Sequence, residues 1–211
     1  MARVTGPLFS MDASGTVGKA IVFSKWKGRS YVRRHAVPSN PRSGLQVGIR
    51  TVFGFVAAAW ATLTDLLVSD WTEIGAADST TGLNALTKDA VSRARRGEGW
   101  RADPEGDASD TVTAPTGAAA LAALKSLNLS WTNAVAGGGE APDWCTAIHM
   151  AEGSEAIEAG IDNLVAIVPI ATEAVVIRGL TTGQAYSFVL RHVNQDGAIG
   201  ADADLLDKTP T

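Results

Sequence analysis

Cys145 is the only cysteine in the 211 residues, so no intramolecular disulfide and no cysteine-based zinc cluster can form. A lone cysteine in an apolar strand is expected to pack as a small buried hydrophobe. Histidine is nearly as scarce. His35, His149 and His192 lie far apart, and none has an i+4 histidine to share a metal. The last two fall on expected strands, where a packed or hydrogen-bonded imidazole is the commoner role. No apolar run approaches the ~20 residues that span a bilayer. The first residues, Met-Ala-Arg-Val-Thr-Gly-Pro, lack the apolar core of a secretory signal, which leads to the expectation of synthesis in a cytoplasm. Gly6, Gly15 and Gly18 are not followed by the Lys-Ser/Thr of a phosphate loop, and Asp12 near Ser14 is one acid beside one hydroxyl. Glu152, Glu155, Glu158 and Asp162 lack the alternating acids and the glycine of a calcium loop, so they read as a solvated acidic face. No enzyme, cofactor or metal site is expected.

What the chain does have is a charge asymmetry. Residues 1–101 carry 14 Lys/Arg against 7 acids, a net +7, whereas 102–211 carry 4 against 15, a net −11. Opposite signs argue for two domains in different surroundings. A basic half faces nucleic acid, a lipid headgroup layer or an acidic protein surface, which could be the second half of another copy.

The sign changes across 95–107, a stretch with three glycines, one proline and dense charge but no helical or strand period. It reads as a linker or exposed loop. Trp100 within it either pins the loop to a domain or anchors a partner, since exposed tryptophans are enriched at interface hot spots. The expected organisation is a basic domain over 1–101, a linker over 102–113 and a β-sandwich over 114–211. The expected fold class is α+β, a hairpin with short helices followed by an all-β Greek-key sandwich.

In the C-terminal half, a short edge strand is expected over 111–117, ended by Pro115. Leu127, Leu129 and Trp131 then alternate with Asn128, Ser130 and Thr132, the period of a half-buried antiparallel strand. Further strands are expected near 144–150, 164–170, 174–177, 185–194 and 201–208, with turns at Gly137-Gly138-Gly139 and Asn194-Gln195-Asp196-Gly197. About seven short strands in about 100 residues indicate a sandwich. The segment from Leu180 to Gly197, with Leu180, Gly183, Tyr186, Phe188, Leu190 and Val193 in place, resembles the fibronectin type III signature, and Leu129-Ser130-Trp131 resembles that family's second strand. The resemblance implies that Trp131, Tyr186, Phe188 and Leu190 are structural, with the Tyr186 hydroxyl bonding back to the chain just upstream. It implies no catalytic residue. An immunoglobulin-like sandwich of other connectivity is the alternative.

In the N-terminal half, 20–26 and 29–34 read as the arms of a β-hairpin turning at Lys27-Gly28, where glycine accommodates positive φ. Lys25, Lys27, Arg29, Arg33 and Arg34 stand among Trp26 and Tyr31. Such a mixture suits either an acidic protein or stacked single-stranded nucleic acid. Since a lone hairpin is marginal in water, it needs a sheet or another subunit beside it. After Pro38-Ser39-Asn40-Pro41, the apolar series Leu45, Ile49, Val52, Phe53, Val56, Trp60 and Leu63 predicts a helix. Thr64 can cap a second, carrying Leu67, Trp71 and Ile74. A third carries Leu83, Leu86 and Val91, with Arg93, Arg95 and Arg96 at its C-terminal, dipole-negative end. Trp60 and Trp71 are expected in its core.

Gly15 and Gly18, the run from Trp26 to Arg33, Asn40-Pro41-Arg42, Ala59-Trp60-Ala61-Thr62-Leu63-Thr64, Trp71 and Thr81-Gly82-Leu83-Asn84 together resemble, in their order, a group of small tailed-phage structural proteins. That resemblance implies a virion component without catalytic residues, made in the host cytoplasm and partnered by capsid, neck or tail proteins, with homo-oligomers expected. The N-terminal half would anchor and the sandwich would project as decoration, spacer or weak adhesin. A tail-tube, tail-tip or neck subunit, or a nucleic-acid-contacting protein using the hairpin, is the alternative.

Overall fold

The computed structural model describes residues 2–3, 14–37, 42–106, 112–133 and 144–211. The breaker at 38–41, the glycine turn at 137–139, Gly6 and Asp12 lie outside them. The chain divides into two compact units, Met1–Pro41 and Arg42–Thr211.

The described strands of the first unit form one antiparallel sheet. Strands β1 (Ala2–Arg3), β2 (Gly15–Val17), β3 (Ile21–Trp26) and β4 (Arg29–Arg34) lie in the order β1-β4-β3-β2. The β3–β4 turn uses Lys27 at φ 49° and Gly28 at φ 77°, the pair of left-handed residues that a two-residue hairpin turn needs. Alternation on both arms is weak because both faces carry a mixture of apolar and cationic side chains. No described side chain of this unit is buried.

The second unit begins with three helices, α1 (Gly44–Trp60), α2 (Asp65–Ala77) and α3 (Gly82–Arg96). Thr81 caps α3 by accepting the Asn84 N–H at 3.3 Å, and Gly97 at φ 74° closes its C-terminus. Thr64 occupies the α2 N-cap without a side-chain capping bond. Seven strands follow: β5 (Thr116–Ala123), β6 (Ser126–Thr132), β7 (Cys145–Glu152), β8 (Leu164–Pro169), β9 (Ala174–Arg178), β10 (Tyr186–Val193) and β11 (Ala203–Lys208). They form two antiparallel sheets, β11-β10-β7-β8 and β5-β6-β9. Between the sheets lie Leu127, Leu129, Trp131, Ile148, Tyr186, Phe188 and Leu190, all buried. Burial along β6 alternates residue by residue, so the sequence period marks its inner face.

Three expectations change. The first strand is β5, not 111–117, and Pro115 precedes it. Its core, Gly-Ala-Ala-Ala-Leu-Ala-Ala, has little β propensity, and it forms at a sheet edge by pairing with β6. The boundary at 101/102 does not coincide with the structural one. The helices share a core with the sandwich, in which Val52, Phe55, Val56, Trp71 and Leu86 pack together with Cys145, Leu164 and Val193. Charge records the surface; this buried apolar seam lies beneath it.

The described part of the 102–113 segment is not a free linker either. Ala102, Val112 and Thr113 are buried. The Ala102 and Asp103 N–H groups both donate to the Gln195 carbonyl, at 2.8 and 3.0 Å. A Cβ on Gly99 would collide with the Gly197 backbone, and one on Gly106 with Asp196. These glycines serve close approach of two backbones.

Candidate partner-binding surface

Strand register sorts the seven hairpin residues singled out in the sequence. The β3–β4 pairs Val22↔Arg33, Ser24↔Tyr31 and Trp26↔Arg29 share one face, and Ile21↔Arg34, Phe23↔Val32 and Lys25↔Ser30 share the other. Trp26, Arg29, Tyr31 and Arg33 therefore form one cationic-aromatic face. Lys25 and Arg34 belong to the opposite face, with Phe23, Val32, Ile21 and its β2 partner Val17. Lys27 leaves the turn with its Nζ 4.9 Å from the Trp26 ring centroid, a cation–π contact. Trp26 is 66% exposed and Val17 52% exposed. Sequence alone groups these cations; only the register separates them.

Trp100 does not belong to this surface. It is buried in the second unit, and its indole N–H points at the Cys145 sulfur at 3.3 Å. No partner can reach it there, so its expected anchoring role is withdrawn. The apolar ring in a glycine-rich stretch marks a segment packed into the core.

Trp71 is also buried, donating its indole N–H to the Ala102 carbonyl at 2.6 Å, whereas Trp60 is half-buried. The Tyr186 hydroxyl accepts the Thr181 N–H at 3.1 Å, an arrangement that fixes the chain entering β10. With Trp131 buried between a three-stranded and a four-stranded antiparallel sheet, the architecture is decided. The C-terminal sandwich is fibronectin type III-like.

Several solved structures resemble this fold. The spore cortex lytic enzyme SleM of Clostridium perfringens is 16% identical over 46% of this chain and 28% of that one, TM-score 0.34. The FN1–FN3 domains of chicken CNTN1 are 12% identical over 47% and 33%, TM-score 0.36. The third fibronectin III domain of human KIAA0343 is 15% identical over 49% and 86%, TM-score 0.37. The chain thus spans about a third or less of the first two. No protein-family model matches the chain, and no curated protein matches it.

The second unit holds several of its charges and two imidazoles in internal bonds. Asp89 lies between Arg93 and Arg101, with Nε atoms at 3.3 and 3.5 Å from its Oδ2. Arg93 also donates to the Gly99 carbonyl at 3.0 Å, and Arg96 pairs with Glu98 at 2.7 Å. Arg93 and Arg96, which suit the helix dipole, thus also tie the helix end to the following segment. His149 Nδ1 has two acceptors, the Gly160 carbonyl at 3.0 Å and Asn163 Oδ1 at 2.9 Å, so it carries the proton. His192 Nδ1 is 2.6 Å from the Thr113 carbonyl, and its Nε2 is 2.9 Å from Asn133 Oδ1, which also accepts the Trp131 indole N–H. Burial holds both imidazoles below their ordinary pKa of 6.5, against the opposing effect of these hydrogen bonds.

Among the described residues no three His, Cys, Asp or Glu gather as metal ligands. A groove of about 570 Å³ beside α1, lined by residues including Phe55, Leu63, Leu67, Trp144 and Ile167, contains no titratable side chain in its lining. The surface with concentrated, accessible charge and aromatics is the N-terminal sheet.

Proposed function

We propose that this chain is a non-enzymatic structural component of a bacteriophage particle, in which the N-terminal sheet docks onto other virion proteins and the sandwich projects outward. The carrying observation is that the described part of the sheet presents Trp26, Val17 and Ile21 at 66%, 52% and 43% exposure beside its cations. Sheets become stable by burying a face against another layer, and here a partner supplies it. The order of motifs resembling tailed-phage structural proteins supplies the setting. Because α1–α3 share their core with the sandwich, the anchor narrows from residues 1–101 to the unit ending at Pro41. The fibronectin-like sandwich then acts as decoration, spacer or weak adhesin, and many copies give weak outward contacts useful avidity. Mass spectrometry and surface labelling of purified particles test this: the protein is expected in mature particles with its sandwich labelled, and its absence overturns the reading.

One observation favours a second reading. Trp26, Arg29, Tyr31 and Arg33 on one face could stack and neutralise single-stranded nucleic acid. Oligonucleotide binding with log K falling by about 0.7 per cation per decade of salt would support it. No binding at low salt would remove it.

A further inference from the structure

The N-terminal unit carries seven Lys/Arg and one acid, a net charge of +6, while Arg42–Thr211 carries eleven and 21, a net −10. Two copies stacking their sheets face to face would bring +6 against +6. That repulsion disfavours a two-fold sheet-on-sheet dimer. An acidic surface with apolar side chains is the complement required, and the chain contains one. Helix α2 has three acids and no base. Leu66, Asp70, Glu73 and Ile74 fall on one face at helical spacing. Leu66 is 71% exposed and Ile74 42% exposed. Of the other acidic stretches, 152–162 has no exposed large apolar side chain, and in 202–208 the exposed Leu206 stands between Asp202, already paired with Arg191, and the base Lys208.

We propose that the cationic-aromatic sheet face of one copy, through Trp26, Arg29 and Arg33, binds the α2 face of a second copy, through Leu66, Asp70 and Glu73. The contact is heterologous, so every copy offers one sheet and one helix. Association therefore closes as a reciprocal dimer or runs on into rings or filaments, and either product is heavier than the monomer. Trp26, Leu66 and Ile74 supply apolar burial, and the charges set orientation and partner choice. This inference rests on the reading of the sheet as a docking module and names its partner.

Sedimentation of the full-length protein at 50 mM and 1 M NaCl tests it. Species heavier than the 21.8 kDa monomer are expected to grow with protein concentration at low salt and to dissociate at high salt. Arg29→Glu/Arg33→Glu and Asp70→Lys/Glu73→Lys, each with unchanged circular dichroism, are each expected to weaken association at least tenfold. Mixed together, the two variants present an acidic sheet to a basic helix and the wild-type pairing in reverse, so association returns. A wild-type protein monomeric at every concentration overturns the inference, as does a mixture that fails to associate. So does oligo-dT binding that consumes the same arginines without self-association. A monomer that still incorporates into particles defeats this partner assignment while leaving the virion role standing.

Discussion

The Trp100 indole N–H meets the Cys145 sulfur at 3.3 Å, joining the segment after α3 to the first residue of β7. Both residues are buried in the core that the helices share with the sandwich. Trp100→Ala is therefore expected to destabilise the whole second unit by about 3–5 kcal/mol in urea unfolding, the usual cost of emptying a buried aromatic site. A loss below about 1 kcal/mol would mean that this segment can detach from an otherwise intact fold.

Two glycines of α1 make a paired prediction. A Cβ on Gly48 would strike the Ile161 carbonyl, whereas one on Gly54 meets nothing within 4 Å. Gly48→Ala must push α1 away from the segment leading into β8, at a cost of about 1–3 kcal/mol. Gly54→Ala is expected to stabilise by about 0.5–1 kcal/mol through helix propensity. Thermal melts of the two variants should move in opposite directions, and melts moving together would contradict the helix–sandwich contact.

Asp89 is one carboxylate serving two arginines, Arg93 and Arg101. Its side chain is about a quarter exposed, so water screens part of the interaction. Asp89→Asn leaves the two cations together without their counter-charge and is expected to cost about 1–2 kcal/mol, less than a fully buried pair would. The loss should grow at low ionic strength, which denaturant titrations at two salt concentrations will read.

Tyr186→Phe removes the acceptor for the Thr181 N–H while keeping the buried ring. Because Thr181 itself is exposed, water can replace the bond. The expected loss is about 0.5–1.5 kcal/mol without change of fold. Denaturant titration beside near-UV circular dichroism checks both parts.

The strands with clean alternation were legible in the sequence, as β6 illustrates, because one face of each must be apolar. β5 was hidden since an alanine run carries no period, and pairing with β6 decides its conformation. On α1, Leu45 and Phe53 read as inward but are 44% and 50% exposed. The buried face instead includes Gly48 and Ala59, small residues that let the helix sit close to its neighbours. The glycines around Trp100 looked like a linker for a similar reason: composition cannot distinguish glycine used for freedom from glycine used for close approach. The hairpin cations were visible as a group, while their division between two faces depends on a register fixed by the turn at Lys27 and Gly28.

The buried imidazoles give stability a pH dependence of definite sign. His149 and His192 are each held below their ordinary pKa of 6.5 in the folded state, mainly by burial. Their unfolded counterparts bind protons first as pH falls, so the associated stability is fully present above about pH 7 and declines below 6.5 toward the folded pKa values. The groups near His149 work in both directions, with Arg191 lowering its pKa and Asp202 raising it, while the bonds to Asn163 and Gly160 oppose burial. Two protons bound only by the unfolded chain limit the slope to about 2.7 kcal/mol per pH unit. Unfolding free energies measured from pH 8 to 5 should therefore fall below pH 6.5, and the His149→Gln/His192→Gln variant should show a flatter profile whatever its absolute stability. A wild-type curve equally flat would mean that both imidazoles accept protons in place, with their hydrogen-bond partners rearranging around the charge.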